Sequence, residues 1–371
     1  MICYHSSYPA GGTPLNSFCK ISGGGPGVYL ATIDCGTTHS RVYIIDEHAR
    51  IIGKASVKVG VRDAAVSGSN QVLKTALIDA FHMALESTKL QLVDIRFAIA
   101  SGMITSEIGL LEIPHLRAPV KPDVLARNMK RVQDTSVFPI DVPVYFIPGI
   151  KNGFDPQKIT VQDVGCLDFM RGEEVQVAGL LSSHEIRLPT TVVVLSSHTK
   201  YIPIDKNEKI LGSITTVSGQ IYEAILKETS IGKSIQKNDV YENESYFDPT
   251  IIDAAYHWLM KSGFLRSLLM PRFLDVLLDT KWYERKLFVE AAIAAEDTKA
   301  IGQFDDLGFP VETGFVLIGD KRRCAIYEYL LRSKGGLKQE ILTISDPEAI
   351  DRLSIGGSIY LAKSAGLFSG S

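Results

Sequence analysis

The stretch Ile33-Asp34-Cys35-Gly36-Thr37-Thr38-His39-Ser40-Arg41 joins two apolar runs through a short polar turn. The run before it, Val28 to Asp34, and the run after it, Arg41 to Asp46, are rich in the β-branched and aromatic residues that favour strands. The pattern therefore predicts two paired strands joined by a tight turn, with an acid at the end of the first strand.

This turn has the residues that a phosphate site needs. Successive backbone N–H groups in a tight turn bind anions, Gly36 lets the backbone approach closely, and Thr37 and Thr38 add hydroxyl donors. Asp34 cannot bind phosphate directly, but it can hold Mg²⁺ that bridges to phosphate, and Arg41 can neutralise an anionic group. Ordinary hairpins use the same residue types, so the turn alone leaves a purely structural role open.

The first half of the chain continues with alternating strands and helices. Ile51 to Gly60 reads as a third strand, which indicates an antiparallel meander. Ser69 to Ser87 has apolar residues at helical spacing after a Ser-Asn cap. Buried strands are predicted for Ile95 to Ser101 and Val142 to Ile150, and a helix for Phe169 to Ser183.

The same order of elements then starts again. Thr190 to Asp205 reads as a strand, a polar turn and a second strand, and Lys209 to Val217 as a third. A long helical region follows from Ser218 to about Thr298. Gly314 to Asp320 is a buried strand, and residues 321–333 form the helix after it.

The repetition predicts two lobes, over residues 28–188 and 189–371, that present their polar turns to one cleft. Clefts between domains are preferred ligand sites. In the second turn, Ser196, Ser197 and Thr199 offer hydroxyls and Lys200 a cation for the outer phosphates of a nucleotide. Residues 1–27, rich in Gly, Pro and Ser, read as a flexible extension.

Composition excludes several classes of protein. The 371 residues are 45% hydrophobic and 22% charged with a net charge of -3, which does not indicate a nucleic-acid-binding surface. No apolar run approaches the ~20 residues that span a bilayer. The cysteines form no C-x-x-C pair, so a zinc site or disulfide framework is not expected, and a reduced, cytoplasmic chain is. They are Cys3, Cys19, Cys35, Cys166 and Cys324.

The opening stretch resembles the D-x-G-T-T-x-x-R phosphate turn of sugar kinases with the actin/hexokinase-type ATPase fold. Three further segments resemble the 2-dehydro-3-deoxygalactonokinase family: Ser101 to Val120, Val144 to Ile150 and Asp168 to Leu181. Within them, "SGMI" and "MRGEE" separate this family from other sugar kinases. The resemblance covers roughly residues 28–365.

The resemblance implies an α/β, two-lobed actin-like ATPase (ribonuclease H-like) fold, each lobe a mixed five-stranded sheet flanked by helices. It also implies ATP and Mg²⁺ as cofactors. The implied reaction moves the γ-phosphoryl group to the 6-hydroxyl of 2-dehydro-3-deoxygalactonate, a 2-keto-3-deoxy sugar acid, in galactonate breakdown. No nucleic-acid or membrane partner is expected, and a homodimer is compatible with this reading.

Two segments depart from the family pattern. Leu195 and Ser196 stand where the second phosphate turn of the family has Pro and Gly, and 218–220 reads Ser-Gly-Gln instead of Thr-Gly-Glu. A glycine at such a position permits positive φ, which costs serine steric energy. Two alternatives therefore stay open: an impaired pseudokinase that binds nucleotide or sugar acid, and a phosphatase-type member of the superfamily.

Phosphoryl transfer needs charge neutralisation and a base near the attacking hydroxyl. Given the resemblance, Asp34 is the predicted metal-organising acid. Asp168 is the first candidate for the base and Glu173 the second. Asp168 could equally cap the following helix, and Glu173 and Glu174 could simply complement its dipole.

The other roles follow from charge and position. Arg171 and Arg41 are rivals for the substrate carboxylate, and a surface salt bridge to Glu173 or Glu174 is the structural alternative for Arg171. His198 could donate to phosphate or order its loop. The predicted nucleotide-binding residues are Asp34, Gly36, Thr37, Thr38, Ser196, Ser197, His198, Thr199, Lys200 and, near adenine, Gly319; the predicted substrate-binding residues are Arg41, Ser101, Gly102, Met103 and Arg171.

Overall fold

The structure is a computed structural model that describes residues 28–183, 186–236 and 246–368. The extension predicted for residues 1–27 lies outside these residues. No helix in the described ranges is long and apolar enough to cross a membrane.

The described residues form strands and helices in the following order. The strands are β1 (Tyr29–Cys35), β2 (Ser40–Asp46), β3 (Ile51–Val57), β4 (Ile95–Gly102), β5 (Leu116–Arg117), β6 (Lys130–Val132), β7 (Val144–Phe146), β8 (Ile150–Lys151), β9 (Phe169–Met170), β10 (Thr190–Leu195), β11 (Thr199–Ile204), β12 (Ile214–Thr216), β13 (Gly314–Gly319) and β14 (Ile341–Ile344). The helices are α1 (Val61–Ser67), α2 (Gln71–Glu86), α3 (Pro122–Arg127), α4 (Glu173–Ser183), α5 (Ser218–Glu228), α6 (Ser230–Ile235), α7 (Pro249–Ser262), α8 (Phe264–Leu278), α9 (Trp282–Asp297), α10 (Lys321–Ser333) and α11 (Pro347–Ser364).

The first sheet has the order β3-β2-β1-β4-β7-β6. The meander β1–β3 is antiparallel, as predicted, whereas β4 and β7 add in parallel. The register sets Asp34 opposite Arg41 on β2 and beside Ser101 on β4. A sixth strand, β6, pairs antiparallel at the edge beyond the five that were expected.

The second sheet repeats this arrangement in the order β12-β11-β10-β13-β14. Its first three strands are antiparallel and its last three parallel. Val194 pairs with Lys200 where the first sheet pairs Asp34 with Arg41, so Lys200 is the structural counterpart of Arg41. The sheet orders confirm the repeat that the sequence pattern predicts.

A small third sheet, β5-β8-β9, was not predicted. Phe169 and Met170 belong to its strand β9, so the prediction of a helix from Phe169 was wrong, and the helix begins at Glu173. Gly172 has a φ of 112°, a left-handed conformation that separates the strand from the helix.

The two halves of the chain share one core. The cluster that contains Leu30 and Ile45 of the first sheet also contains Val192 and Ile202 of the second. Helices α4 and α11 contribute to the same cluster. A backbone bridge adds to this contact: Val120 donates to Ile210 at 2.9 Å, and Ile210 donates back at 2.8 Å.

Helices α4 and α11 cross at a pair of glycines. A Cβ at Gly179 would overlap the Leu353 carbonyl oxygen, and a Cβ at Gly357 would overlap that of Val175. The crossing is symmetric, because each overlapped carbonyl lies four residues before the glycine of its own helix. Only residues without a side chain let the two backbones lie this close.

This crossing generates the first prediction. Gly357→Ala should lower the free energy of unfolding by about 1–3 kcal/mol or more, because the added methyl group must displace backbone. The neighbouring Gly356→Ala is the matched control, since a Cβ there meets no atom within 4 Å. It should be neutral or stabilising by up to ~1 kcal/mol. Denaturant titration of both variants measures the difference, and equal stabilities would contradict the account.

Candidate functional site

The start of α1 packs against the β1–β2 turn and hydrogen-bonds to it. The Gly36 N–H donates to the His39 carbonyl at 2.8 Å, and the Val61 N–H donates to the Gly36 carbonyl at 3.2 Å. Gly60 packs directly under the turn, where a Cβ would overlap the Thr37 backbone. The start of helix α1 thus donates a hydrogen bond to a carbonyl of the turn.

The β10–β11 turn is built in the same way. Gly219, at the start of α5, packs under it, and a Cβ there would overlap the Ser196 carbonyl. The Gln220 N–H donates to the Ser197 carbonyl at 3.0 Å. Gly219 therefore supports the second turn as Gly60 supports the first.

Serine fits the second turn without the expected strain. The non-glycine residues with positive φ in the described chain are Ala49, Glu208 and Asp279, so Ser196 lies outside the left-handed region. Its hydroxyl donates to the His198 carbonyl at 2.8 Å and orders the turn. The argument that a serine would be strained by positive φ at this position therefore does not apply.

Arg323 of α10, which sequence reasoning missed, clamps the second turn. Its guanidinium donates to the Ser196 carbonyl at 2.7 Å, to the Thr199 hydroxyl at 2.8 Å and to the Ser218 hydroxyl at 2.7 Å. Thr199 is fully buried by these contacts, so its hydroxyl serves the turn rather than a ligand. The basic run that begins at Lys321, after a buried strand, was the available signal.

A cavity of about 1000 Å³ opens beside this turn. Its wall includes Ser196, Ser197 and Arg323, with side chains of α5 and α9 on the other sides. Gly319 does not line it, because it packs against Leu195, whereas the four residues after Gly319 do. The volume lies in the range of small-molecule sites.

Asp34 lies at the end of β1 and pairs with Arg41, whose Nη1 is 3.2 Å from Asp34 Oδ2. Burial raises the pKa of the Asp34 carboxyl, and the Arg41 guanidinium opposes the shift. The Arg41 side chain is 47% exposed and that of Asp34 is 31% exposed. Asp34 is thus a partly accessible acid, and the guanidinium of Arg41 balances its charge.

The two family-distinguishing motifs meet beside Asp34. Gly102, with a φ of 84°, lies so close that a Cβ would be 3.4 Å from Asp34 Oδ1. Gly172 packs on Gly102 in turn, with a Cβ position 3.4 Å from the Gly102 Cα. These glycines let the "SGMI" and "MRGEE" segments converge on the acid.

Glu173 stands next to this contact with an unsatisfied oxygen. Its Oε2 atom is buried and has no hydrogen-bond partner among the described residues. Burial raises the pKa of the Glu173 carboxyl, Lys200 lowers it and Asp34 raises it further. Glu173 therefore lies within electrostatic reach of both the first-lobe acid and the second-lobe lysine.

Glu174 has the opposite character. The Gly172 N–H donates to both of its carboxyl oxygens at 2.8 Å. The side chain is fully buried, and burial, followed by the charge of Glu173, raises its pKa to about 8. Glu174 secures the turn at Gly172.

Asp168 ties the two lobes together. Its Oδ1 accepts from the Ser213 hydroxyl at 2.8 Å and the Thr215 hydroxyl at 2.6 Å, and its Oδ2 accepts from the Thr215 N–H at 2.6 Å. Lys200 extends the network by donating to the Thr215 hydroxyl at 2.6 Å and to the Phe169 carbonyl at 2.7 Å. This carboxylate is engaged on both oxygens.

The remaining predicted site residues differ in their contacts and in their exposure. Arg171 donates to the Thr105 hydroxyl and the Ile113 carbonyl, each at 2.7 Å, rather than forming the alternative surface salt bridge. Ser101 is buried, and its hydroxyl reaches the Ile33 carbonyl at 3.5 Å. Met103 is half-buried in the turn after β4, whereas Thr38 is exposed and contacts His39.

A family model described as 2-keto-3-deoxy-galactonokinase matches residues 34–346. The chain belongs to this family. A probable 2-dehydro-3-deoxygalactonokinase of Rhizobium meliloti (strain 1021) is 23% identical over 218 residues, which are 57% of this chain and 61% of that relative. The match thus spans about three fifths of the relative's length.

Solved structures support the fold. A Sinorhizobium meliloti protein described as a "putative 2-dehydro-3-deoxygalactonokinase" has a TM-score of 0.66 at 19% identity, over 92% of this chain and 99% of that one. A reductive activator for a corrinoid, iron-sulfur protein has a TM-score of 0.50 at 12% identity, over 94% of this chain and 63% of that one. With the two repeated sheets, the first likeness confirms the predicted two-lobed actin-like ATPase fold.

The buried acid Glu174 generates a pH prediction. Below about pH 4.5 the carboxyl is protonated both folded and unfolded. As the pH rises towards 8, the unfolded chain ionises first, so folding must take up a proton and the wild type loses stability. The Tm of Glu174→Gln minus the Tm of the wild type should therefore increase by at least ~2 °C between pH 5 and pH 8. 

Thermal melts at several pH values measure this gap. Glu312→Gln is the matched control, because that glutamate is exposed, and it shows how much of any change in the gap comes from the loss of a surface charge alone. A gap for Glu174→Gln that changes no more than that of the control would show that Glu174 is ionised in the folded protein.

Proposed function

We propose that the protein is an ATP-dependent kinase that phosphorylates the 6-hydroxyl of 2-dehydro-3-deoxygalactonate, a 2-keto-3-deoxy sugar acid, in galactonate breakdown. One observation carries the proposal: the two family-distinguishing motifs meet at Gly102 and Gly172, beside Asp34 and the Glu173 carboxylate, whose Oε2 has no hydrogen-bond partner among the described residues. Family membership supports the choice of substrate class.

The nucleotide would bind through the second lobe. The cavity of about 1000 Å³ beside the β10–β11 turn has room for the nucleoside. Its phosphates would extend past Ser196 and Ser197 towards the first turn, where Thr37 and Thr38 offer backbone donors, since the Gly36 N–H already donates to the His39 carbonyl. In this arrangement Arg323 holds the second turn in shape from the cavity wall.

Asp34 fits the role of organising Mg²⁺. Magnesium keeps several waters and is commonly held by one or two carboxylates together with substrate phosphates, and Asp34 supplies one partly accessible carboxylate at the cleft. When bound, the ion would neutralise charge that develops on the transferred phosphoryl group. Arg41 keeps the acid oriented when it is not ligating.

We assign the general base to Glu173 rather than Asp168. A base needs an oxygen that can accept a proton from the acceptor hydroxyl. Glu173 Oε2 has no protein partner in the described chain, whereas the Asp168 oxygens accept three hydrogen bonds from Ser213 and Thr215. Burial raises the pKa of the Glu173 carboxyl, and the charge of Lys200 opposes the rise.

The proposal also includes a cytoplasmic location for the protein and the formation of a homodimer. The described cysteines, Cys35, Cys166 and Cys324, are all free thiols, as in reducing compartments. A homodimer stays a prediction, and α8 offers a surface for it, since Leu265, Leu277 and Leu278 are 84%, 73% and 69% exposed. 

Substrate-dependent ADP release tests the proposed function. The purified protein, with ATP and Mg²⁺, is assayed against 2-keto-3-deoxygalactonate, its gluco isomer and neutral hexoses. We expect turnover with a keto acid and none with the neutral sugars. ATP binding without turnover on any acid would support a pseudokinase instead.

The assignment of the base generates a further prediction. Glu173→Gln preserves shape but cannot accept the proton, so kcat should fall by about 10²–10⁴-fold, with the KM for ATP little changed. Asp168→Asn should instead lower the free energy of unfolding by about 1–3 kcal/mol, because its amide faces the Thr215 N–H. Steady-state kinetics and denaturant titrations measure both. A large loss of kcat in Asp168→Asn, with Glu173→Gln active, would return the base to Asp168.

A further inference from the structure

Three separate segments converge on His115. A Cβ at Gly149 would lie 2.8 Å from His115 Cδ2 and 2.6 Å from Arg171 Cγ. His115 belongs to the segment that begins with "SGMI", Gly149 to "VYFIPGI" and Arg171 to "MRGEE". The three stretches that resemble the family therefore pack against one imidazole.

The hydrogen bonds of His115 define which nitrogen carries the proton. Its Nδ1 lies 3.3 Å from Arg171 Nη2, and a guanidinium can only donate, so Nδ1 accepts. The proton of the neutral ring is then on Nε2. That atom is buried and has no hydrogen-bond partner among the described residues. A buried donor without an acceptor is costly, so the position calls for an acceptor from a ligand.

The surroundings of this donor are positive. Burial first, then the charges of Arg171, Lys151 and Lys200, lower the pKa of His115 to about 4, and Glu107 opposes them. The charges of Glu174, Glu107 and Glu112 act on Arg171. At neutral pH the ring is an uncharged donor among three cations, and such a setting favours a carboxylate over a neutral group.

We propose that His115 Nε2–H binds the carboxylate of the sugar-acid acceptor, that Arg171 positions the imidazole for this contact, and that His115 is the residue that selects acids over neutral sugars. This inference rests on the proposed function and assigns one end of its substrate. Both N–H groups of Arg171 Nη2 are used by Ile113 and His115, and Nη1 donates to Thr105, so the guanidinium holds His115 in place and fixes its tautomer.

The position suits the chemistry at the other end of the molecule. Arg171, which holds His115, lies two residues before Glu173, so the proposed carboxylate site and the proposed base adjoin the same short segment. The acceptor has its carboxylate at carbon 1 and its reactive hydroxyl at carbon 6. Binding the first end at His115 would direct the second end along the cleft towards Glu173.

Phe169 covers the site. The Phe169 and His115 rings are 5.1 Å apart between centroids, and Phe169 is 56% exposed. Exposed side chains change rotamer within picoseconds to nanoseconds, so the ring can swing aside and admit a carboxylate. The backbone need not move, and the Phe169 carbonyl can keep its contact with Lys200.

Calorimetric titration of the full chain tests the inference without requiring turnover. The probes are 2-keto-3-deoxygalactonate and an analogue with a hydroxymethyl group in place of the carboxylate. His115→Phe keeps a ring beside Phe169 but removes the N–H, and should weaken binding of the acid by about 10–100-fold. His115→Gln retains a side-chain N–H and should lose no more than about threefold. The affinity for a non-hydrolysable ATP analogue should stay unchanged in both.

The outcomes separate this inference from the proposed function. Equal affinities of the wild type and His115→Phe for the acid, or equal affinities of the wild type for the acid and the hydroxymethyl analogue, would overturn the carboxylate site. Parallel measurement of ADP release reports on the kinase proposal by itself. Acid binding that depends on His115, without ADP release, would support the site and contradict the kinase.

Discussion

The contact on which the site depends is the crossing of α4 and α11 at Gly179 and Gly357. The crossing is symmetric, and an acid lies six residues before the glycine of each helix: Glu173 on α4 and Asp351 on α11. Glu173 lies within reach of Lys200 and Asp34. Burial raises the pKa of Tyr43 and of Asp34, and the charge of Asp351 adds to both shifts. Because the helices pass so closely, side chains from both halves of the chain meet around the end of β1.

Neighbouring acids acquire different roles from what surrounds them. Glu174 receives the Gly172 N–H on both oxygens and is held in the scaffold. Glu173, one residue earlier, keeps an oxygen without a hydrogen-bond partner in the part of the chain that the structure describes. Both carboxylate oxygens of Asp168 accept hydrogen bonds from residues at or beside β12. A candidate base can be chosen among three nearby carboxylates only by asking which of them has acceptor capacity left for a substrate.

The sequence predicts local features better than long-range ones. The strands around Asp34, both polar turns and the repeat follow from alternation and turn chemistry, which are short-range. The partners of Asp168 could not be predicted, since Ser213 and Thr215 lie 45 and 47 positions away. Arg323 reaches a turn 127 positions earlier. Helix α11 was not predicted, although Asp346 followed by proline is a helix-start signal, and Asp346 does cap it.

The most direct test of the account is a crystal structure with a non-hydrolysable ATP analogue, Mg²⁺ and 2-keto-3-deoxygalactonate bound together. The account predicts the outer phosphates between the turns at residues 36–38 and 196–198. It also predicts the acceptor 6-hydroxyl within hydrogen-bond reach of Glu173, at about 2.6–3.2 Å. A 6-hydroxyl placed against Asp168, or phosphates bound away from both turns, would contradict it.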